Sequence, residues 1–282
     1  MMRLGRIGYV NCYPVYGAID RGIVSINAEL VSGTPSELNG LMAAGELDVS
    51  VVSAVEYARN AGHYHLLPDL AVSCDGPVRS VALFSRKEAS ELDGATVLVS
   101  ESSRTSVYLL DLLCTDVWHV SPTCVEARTE PGDIDDLENL PHDAVLVIGD
   151  AALLLAARGI YRYRYDLGEE WKSWTGLPFV FAVWAARRVG RQGGGQDGLG
   201  QRIRELHEAL LASRAWGLNN LDRLAGEAAR ETGLGETLCF DYLNGIDYAL
   251  SYRHLEGLTS FFRRLATKGM VKDGTLSFLS VA

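Results

Sequence analysis

Along its first half, the chain repeats one pattern. A short run of β-type residues stops at a small polar residue or glycine, and a helical pattern begins there. A run over 3–10 ends at Asn11 in GYVNCYPVY (8–16) and passes into a helix over 12–21, with Pro14 in its first turn, where proline is tolerated. A strand near 26–31 runs into GTPSELNGLMAAG. There Thr34 and Glu37 have capping-box spacing, Pro35 takes the first helical position and Gly45 closes the helix. LDVSVV leads to SAVE, where Ser53 and Glu56 repeat the cap. ATVLVS (95–100) enters the hydroxyl-rich turn SESSRTS and a helix through Cys114, and DAVLVI turns at Gly149–Asp150 into a helix ended by Gly159. Such alternation predicts parallel βαβ units and an α/β fold.

VRSVALFS (78–85) and FVFAVWAA (179–186) read as strands without the helical period, and YRYRY (161–165) as an edge strand. The glycine-rich GRQGGGQDG (190–198) predicts a surface loop. Beyond it the chain reads as helical, with stripes at Leu199, Ile203, Leu206 and Leu210, and at Leu255, Leu258, Phe262 and Leu265. If 78–85 and 179–186 are crossings, residues 1–85 plus 187–282 form one lobe and 86–186 a second, around a central cleft. In open α/β sheets ligands lie beyond the carboxyl ends of the strands. Those ends carry Asn11, Thr34, Ser53, Ser100 to Ser106, Gly149 and Asp150.

Composition narrows the partners. A hydrophobic share of 48% and a charged share of 22% are those of a globular chain. A net charge of −10 with no basic stripe argues against nucleic acid and against an anionic membrane surface. No uncharged apolar stretch approaches the roughly 18 residues of a membrane span, and the start lacks a signal-peptide pattern. The five scattered cysteines read as reduced thiols, which predicts a cytoplasmic protein. The six histidines lack metal-site spacing, and no GxSxG elbow, P-loop or strand-following GxGxxG occurs.

What remains is hydroxyl and amide chemistry at helix starts, where free N–H groups and the helix dipole favour anions. Thr105, Ser106 and the N–H groups after them have the composition of a carboxylate cradle, and equally of plain N-capping. Asn11 has the same two readings, cap or ligand contact. Ser80 is expected inside a strand, facing away from Arg79 and Val81 into the cleft.

Six stretches in order carry a family resemblance: RIGYVNCYPVY, GTPSELNGLMAAGELDVSVVSAVEYAR, VRSVALFS, VLVSESSRTSV, VLVIGDAAL and DLGEEWKSWTGLPFVFAVWAAR. Together they resemble the chorismate dehydratases of the futalosine route to menaquinone, over about residues 3–188. The resemblance implies a two-lobed periplasmic-binding-protein type II fold. It also implies a lyase that converts chorismate, a dianion, to 3-[(1-carboxyvinyl)oxy]benzoate and water with no metal or organic cofactor. The family's cleft asparagine falls on Asn11 and its strand serine on Ser80, the catalytic pair. Its substrate-binding positions fall on Ser53, Thr105, Ser106, Gly149 and Asp150. A sister synthase of 1,4-dihydroxy-6-naphthoate opens on a different N-terminal motif and has a histidine where this chain has Gly149. A cytoplasmic solute-binding protein is the alternative of another class.

Overall fold

The alternation resolves into two mixed sheets. The computed structural model describes residues 1–101, 103–188, 196–272 and 274–280. β1 (Met2–Ile7), β2 (Ala28–Gly33), β3 (Val49–Ser53) and β4 (Tyr64–Cys74) build the first sheet. The second holds β5 (Val81–Ser85), β6 (Thr96–Ser100), β7 (Thr123–Ala127), β8 (Ala144–Ile148) and β9 (Tyr163–Asp166). The chain then returns as β10 (Phe179–Arg187), inserted between β3 and β4. The orders are β2-β1-β3-β10-β4 and β7-β6-β8-β5-β9. Pairing is parallel within β2-β1-β3 and β7-β6-β8, while β5 and β10 run antiparallel to both of their neighbours.

Sheet membership corrects the expected lobe boundaries, which fall one strand late at both crossings. β5 belongs to the second sheet, where Leu83 registers with Leu146 and Tyr165. β10 belongs to the first, where Val183 registers with Val52 and Ala71. The crossings are therefore the segments 75–80 and 176–178. The expected edge strand YRYRY is β9, at the margin of its sheet. The expected loop 190–198 falls mainly on 190–195, outside the described residues, and the next helix starts at Gln196.

Helices follow the strands as α1 (Tyr13–Asp20), α2 (Pro35–Ala43), α3 (Ala54–Arg59), α4 (Arg104–Leu113), α5 (Ile134–Asn139), α6 (Gly149–Arg158) and α7 (Leu167–Thr175). The tail adds α8 (Gln196–Leu218), α9 (Leu221–Thr232), α10 (Glu236–Gly245) and α11 (Tyr252–Thr267). α2 has both halves of its capping box. At α3 only Ser53 does its part: its hydroxyl accepts the Glu56 N–H, while the Glu56 carboxylate accepts from Asn60 and Tyr64 instead. β3 and β8 are buried along their whole length, as strands covered on both faces must be.

The tail helices seal the first lobe. Leu206 and Leu210 of α8, and Leu258, Phe261, Phe262 and Leu265 of α11, are buried. Phe261 meets Phe179 and Trp171 edge-on, at centroid distances of 4.9 and 5.9 Å. The Trp184 indole donates to the Tyr16 hydroxyl, which in turn donates to the Gly5 carbonyl, so β10, α1 and β1 share a satisfied buried chain. α8 lies so close on α1 that a Cβ at Gly217 would stand 2.1 Å from the Pro14 carbonyl oxygen. Backbone cannot yield as a side chain can. Gly217→Ala should therefore lower stability by about 2–3 kcal/mol, overriding the gain of about 1 kcal/mol that alanine brings to a helix. A urea midpoint at or above that of the unchanged chain would show that α8 can move off α1.

Candidate active site

Four helix starts converge where the two sheets face each other. The cleft there is lined by Tyr9, Asn11 and Cys12 after β1, by Pro35 at α2 and by Ser53 at α3. From the second lobe come Ser103 and Ser106 at α4 and Gly149 at α6; Ser80 sits at the crossing, and Val72 and Phe181 form an apolar wall. No lysine, arginine or histidine is among these lining residues. An anion held here would be met by hydroxyls, an amide and backbone N–H groups at the positive ends of helices.

The local sequence explains how these groups are aimed. Ser103 caps α4, accepting the Ser106 N–H, and the two hydroxyls lie 2.9 Å apart. Ser53 receives the Asn39 amide N–H on its oxygen and gives its own backbone N–H to the Asn39 carbonyl. Asp166 fixes the crossing: its carboxylate accepts the Val78 and Arg79 N–H groups at 3.0 and 2.6 Å, and also those of Gly168 and Glu169 at the start of α7. Arg79 is left-handed, at φ 67°. Ser80 therefore lies in a bend before β5, and the expected strand alternation does not apply to it. It is 2% exposed and still lines the cleft, and its carbonyl accepts the Gly149 N–H at 2.7 Å.

Gly149 has φ 62°, and a Cβ there would stand 2.9 Å from the Tyr9 ring, so glycine is required twice over. Asn11 does not cap α1. It sits in a 3-10 turn, Val10–Cys12, with its amide oxygen buried and unpartnered, which leaves the amide NH2 as the end able to face the cleft.

Two expected ligand contacts are already used between the lobes. The Thr105 hydroxyl accepts the Val55 N–H of α3 at 3.0 Å and does not line the cleft, so the expected Thr105–Ser106 cradle reduces to Ser106 with Ser103. The Asp150 carboxylate neither caps α6 nor lines the cleft; it accepts the Val10 N–H at 3.2 Å. Tyr9 adds a third tie, donating to the Glu130 carboxylate at 3.1 Å. Burial, opposed by the Val10 N–H and reinforced by Glu231 and Glu130, raises Asp150 to about 7. Burial pushes the Cys12 thiol up to about 12, which removes it as a nucleophile near neutral pH.

The menaquinone-biosynthesis family profile matches residues 2–267. A chorismate dehydratase of Thermus thermophilus is 34% identical over 252 residues, 84% of this chain and 86% of the relative. The chain belongs to this family. A chorismate dehydratase of Campylobacter jejuni is 28% identical over 64% of the chain and 66% of its own length. Among solved structures, a protein of Archaeoglobus fulgidus superposes with a TM-score of 0.76 at 21% identity, covering 96% of this chain and 98% of that one. The alkanesulfonate-binding protein SsuA of Xanthomonas axonopodis pv. citri, bound to MOPS, gives 0.67 at 13% identity, covering 98% and 95%. These likenesses give this family member the two-lobed periplasmic-binding-protein fold. Among the described residues no helix is long and apolar enough to cross a membrane.

Sequence reasoning did not single out Tyr9 or Phe181 of the cleft, nor Tyr242 behind it, and it placed Ser103 at a strand end without giving it a role. Ser103 was within reach, because the helix pattern starting at Arg104 makes it the cap. Tyr242 was not, since it comes from α10 and nothing in its own stretch points back to Asn11.

Proposed function

We propose that the protein is a chorismate dehydratase of menaquinone biosynthesis: a cytoplasmic hydro-lyase that removes water from chorismate to give 3-[(1-carboxyvinyl)oxy]benzoate. The observation that carries this reading is the 34% identity, over most of both chains, to a relative of that name. The cleft suits the chemistry. Loss of water makes the ring aromatic without changing its oxidation level, so the reaction needs no redox partner. The proton on the ether-bearing carbon is vinylogously acidic, because its anion delocalises into the ring carboxylate.

In this reading the hydroxyls of Ser106, Ser103 and Ser53, at the positive ends of α4 and α3, hold carboxylate and the charge that develops on it, while Gly149, whose own N–H is given to the Ser80 carbonyl, leaves room for it. Asn11 and Ser80 orient the leaving hydroxyl by hydrogen bonds. The lining residues include no strong general base. The substrate's own side-chain carboxylate takes the ring proton, the carbon–oxygen bond breaks, and that proton ends on the departing hydroxide as water. Asp150, bonded to the Val10 N–H next to Asn11, is partly neutral near pH 7, which lessens its repulsion of a dianion.

Incubation of the purified protein with chorismate, followed by chromatography with mass and ultraviolet detection, tests the reading. The expected product is lighter by one water and has the spectrum of a substituted benzoate. Unchanged chorismate in the presence of folded protein would overturn it in favour of a binding protein or the sister synthase.

A further inference from the structure

Among the buried polar atoms without a hydrogen-bond partner are the Asn11 amide oxygen and the Tyr242 hydroxyl. Tyr242 is 1% exposed, and its side chain lies against those of Asn11 and Ser80. Leaving a buried acceptor and a buried donor unpaired side by side is costly, and a hydrogen bond between them would satisfy both. An asparagine amide presents a carbonyl at one end and an NH2 at the other, so whichever group takes the carbonyl decides what the NH2 faces.

We propose that Tyr242 is a positioning residue: in the loaded cleft its hydroxyl donates to the Asn11 carbonyl and so aims the Asn11 NH2 at the hydroxyl group that leaves the substrate. This rests on the dehydratase reading and names what orients its leaving-group contact. Burial lifts Tyr242 well above the ordinary tyrosine range, so the phenol keeps its proton and stays a donor throughout turnover. The hydroxyl belongs to α10, in the helical tail, whereas Asn11 follows β1. The tail therefore takes part in the site as well as covering the lobe.

Tyr242→Phe keeps the ring and removes only an unpaired hydroxyl, so its melting temperature should equal or exceed that of the unchanged protein. Its kcat on chorismate should fall tenfold or more with KM within twofold. In an Asn11→Ala background the same substitution should change kcat by less than twofold, because the group through which it acts is gone. A smaller loss, a loss carried by KM, or an equal loss in both backgrounds overturns the assignment. If the unchanged protein itself gives no product, the dehydratase reading falls and this inference falls with it; product at equal rates from both proteins removes the inference alone.

Discussion

Asn11→Ala should lower kcat for chorismate at least a hundredfold while leaving the protein as stable as before, or more so. The first half of that expectation follows from place. Asn11 lines the cleft with no cation and no strong base among the lining residues, so a well-aimed amide has few substitutes. Deleting one preorganised donor at a developing charge typically costs about 10²–10³ in rate, or about 3–4 kcal/mol. The second half follows from the buried amide oxygen, which has no partner to lose. Turnover by chromatography and a thermal melt read the two halves separately. Turnover within a few-fold of the unchanged enzyme would remove Asn11 from the reaction.

Asp150→Asn should change the pH dependence of stability. The folded-state value lies near 7, above the 3.8 of a free carboxyl, so the protonated form is the one that suits the fold. Its contribution is complete below about pH 4 and is lost as pH rises through 7. Asparagine keeps an acceptor for the Val10 N–H and never ionises. The variant should therefore gain on the unchanged protein between pH 5 and pH 8, by at most about 3 kcal/mol. Urea midpoints at the two pH values measure it; a difference that stays constant with pH would mean that Asp150 ionises freely in the folded chain.

What was legible in the sequence was what neighbours decide. Thr34 and Glu37 form their box within a single turn, and β3 and β8 announce themselves as apolar runs. β4 was not legible. It carries Pro68 and a left-handed Asp69, and its register with β10 slips twice, so no period of two survives in it. Nor could the sequence assign β5 and β10 to their sheets, because an apolar strand does not name its partner. At the site, the helix starts were readable, but the present use of their groups was not. Thr105 is taken by Val55 and Asp150 by Val10, pairs that only tertiary structure brings together.

Asp166 ties residues 78 and 79 to the first turn of α7, so that part of the crossing moves as one piece with the second lobe. The rest of the two connections, 75–77 and 176–178, lies side by side, because Lys172 pairs with Asp75 on one and donates to the Gly176 carbonyl on the other at 3.0 Å. Two short connections define a line, as two pins define the axis of a door. Any swing of one lobe against the other then has one principal direction. The Tyr9–Glu130, Val10–Asp150 and Thr105–Val55 hydrogen bonds, which join one lobe to the other, would be its catches.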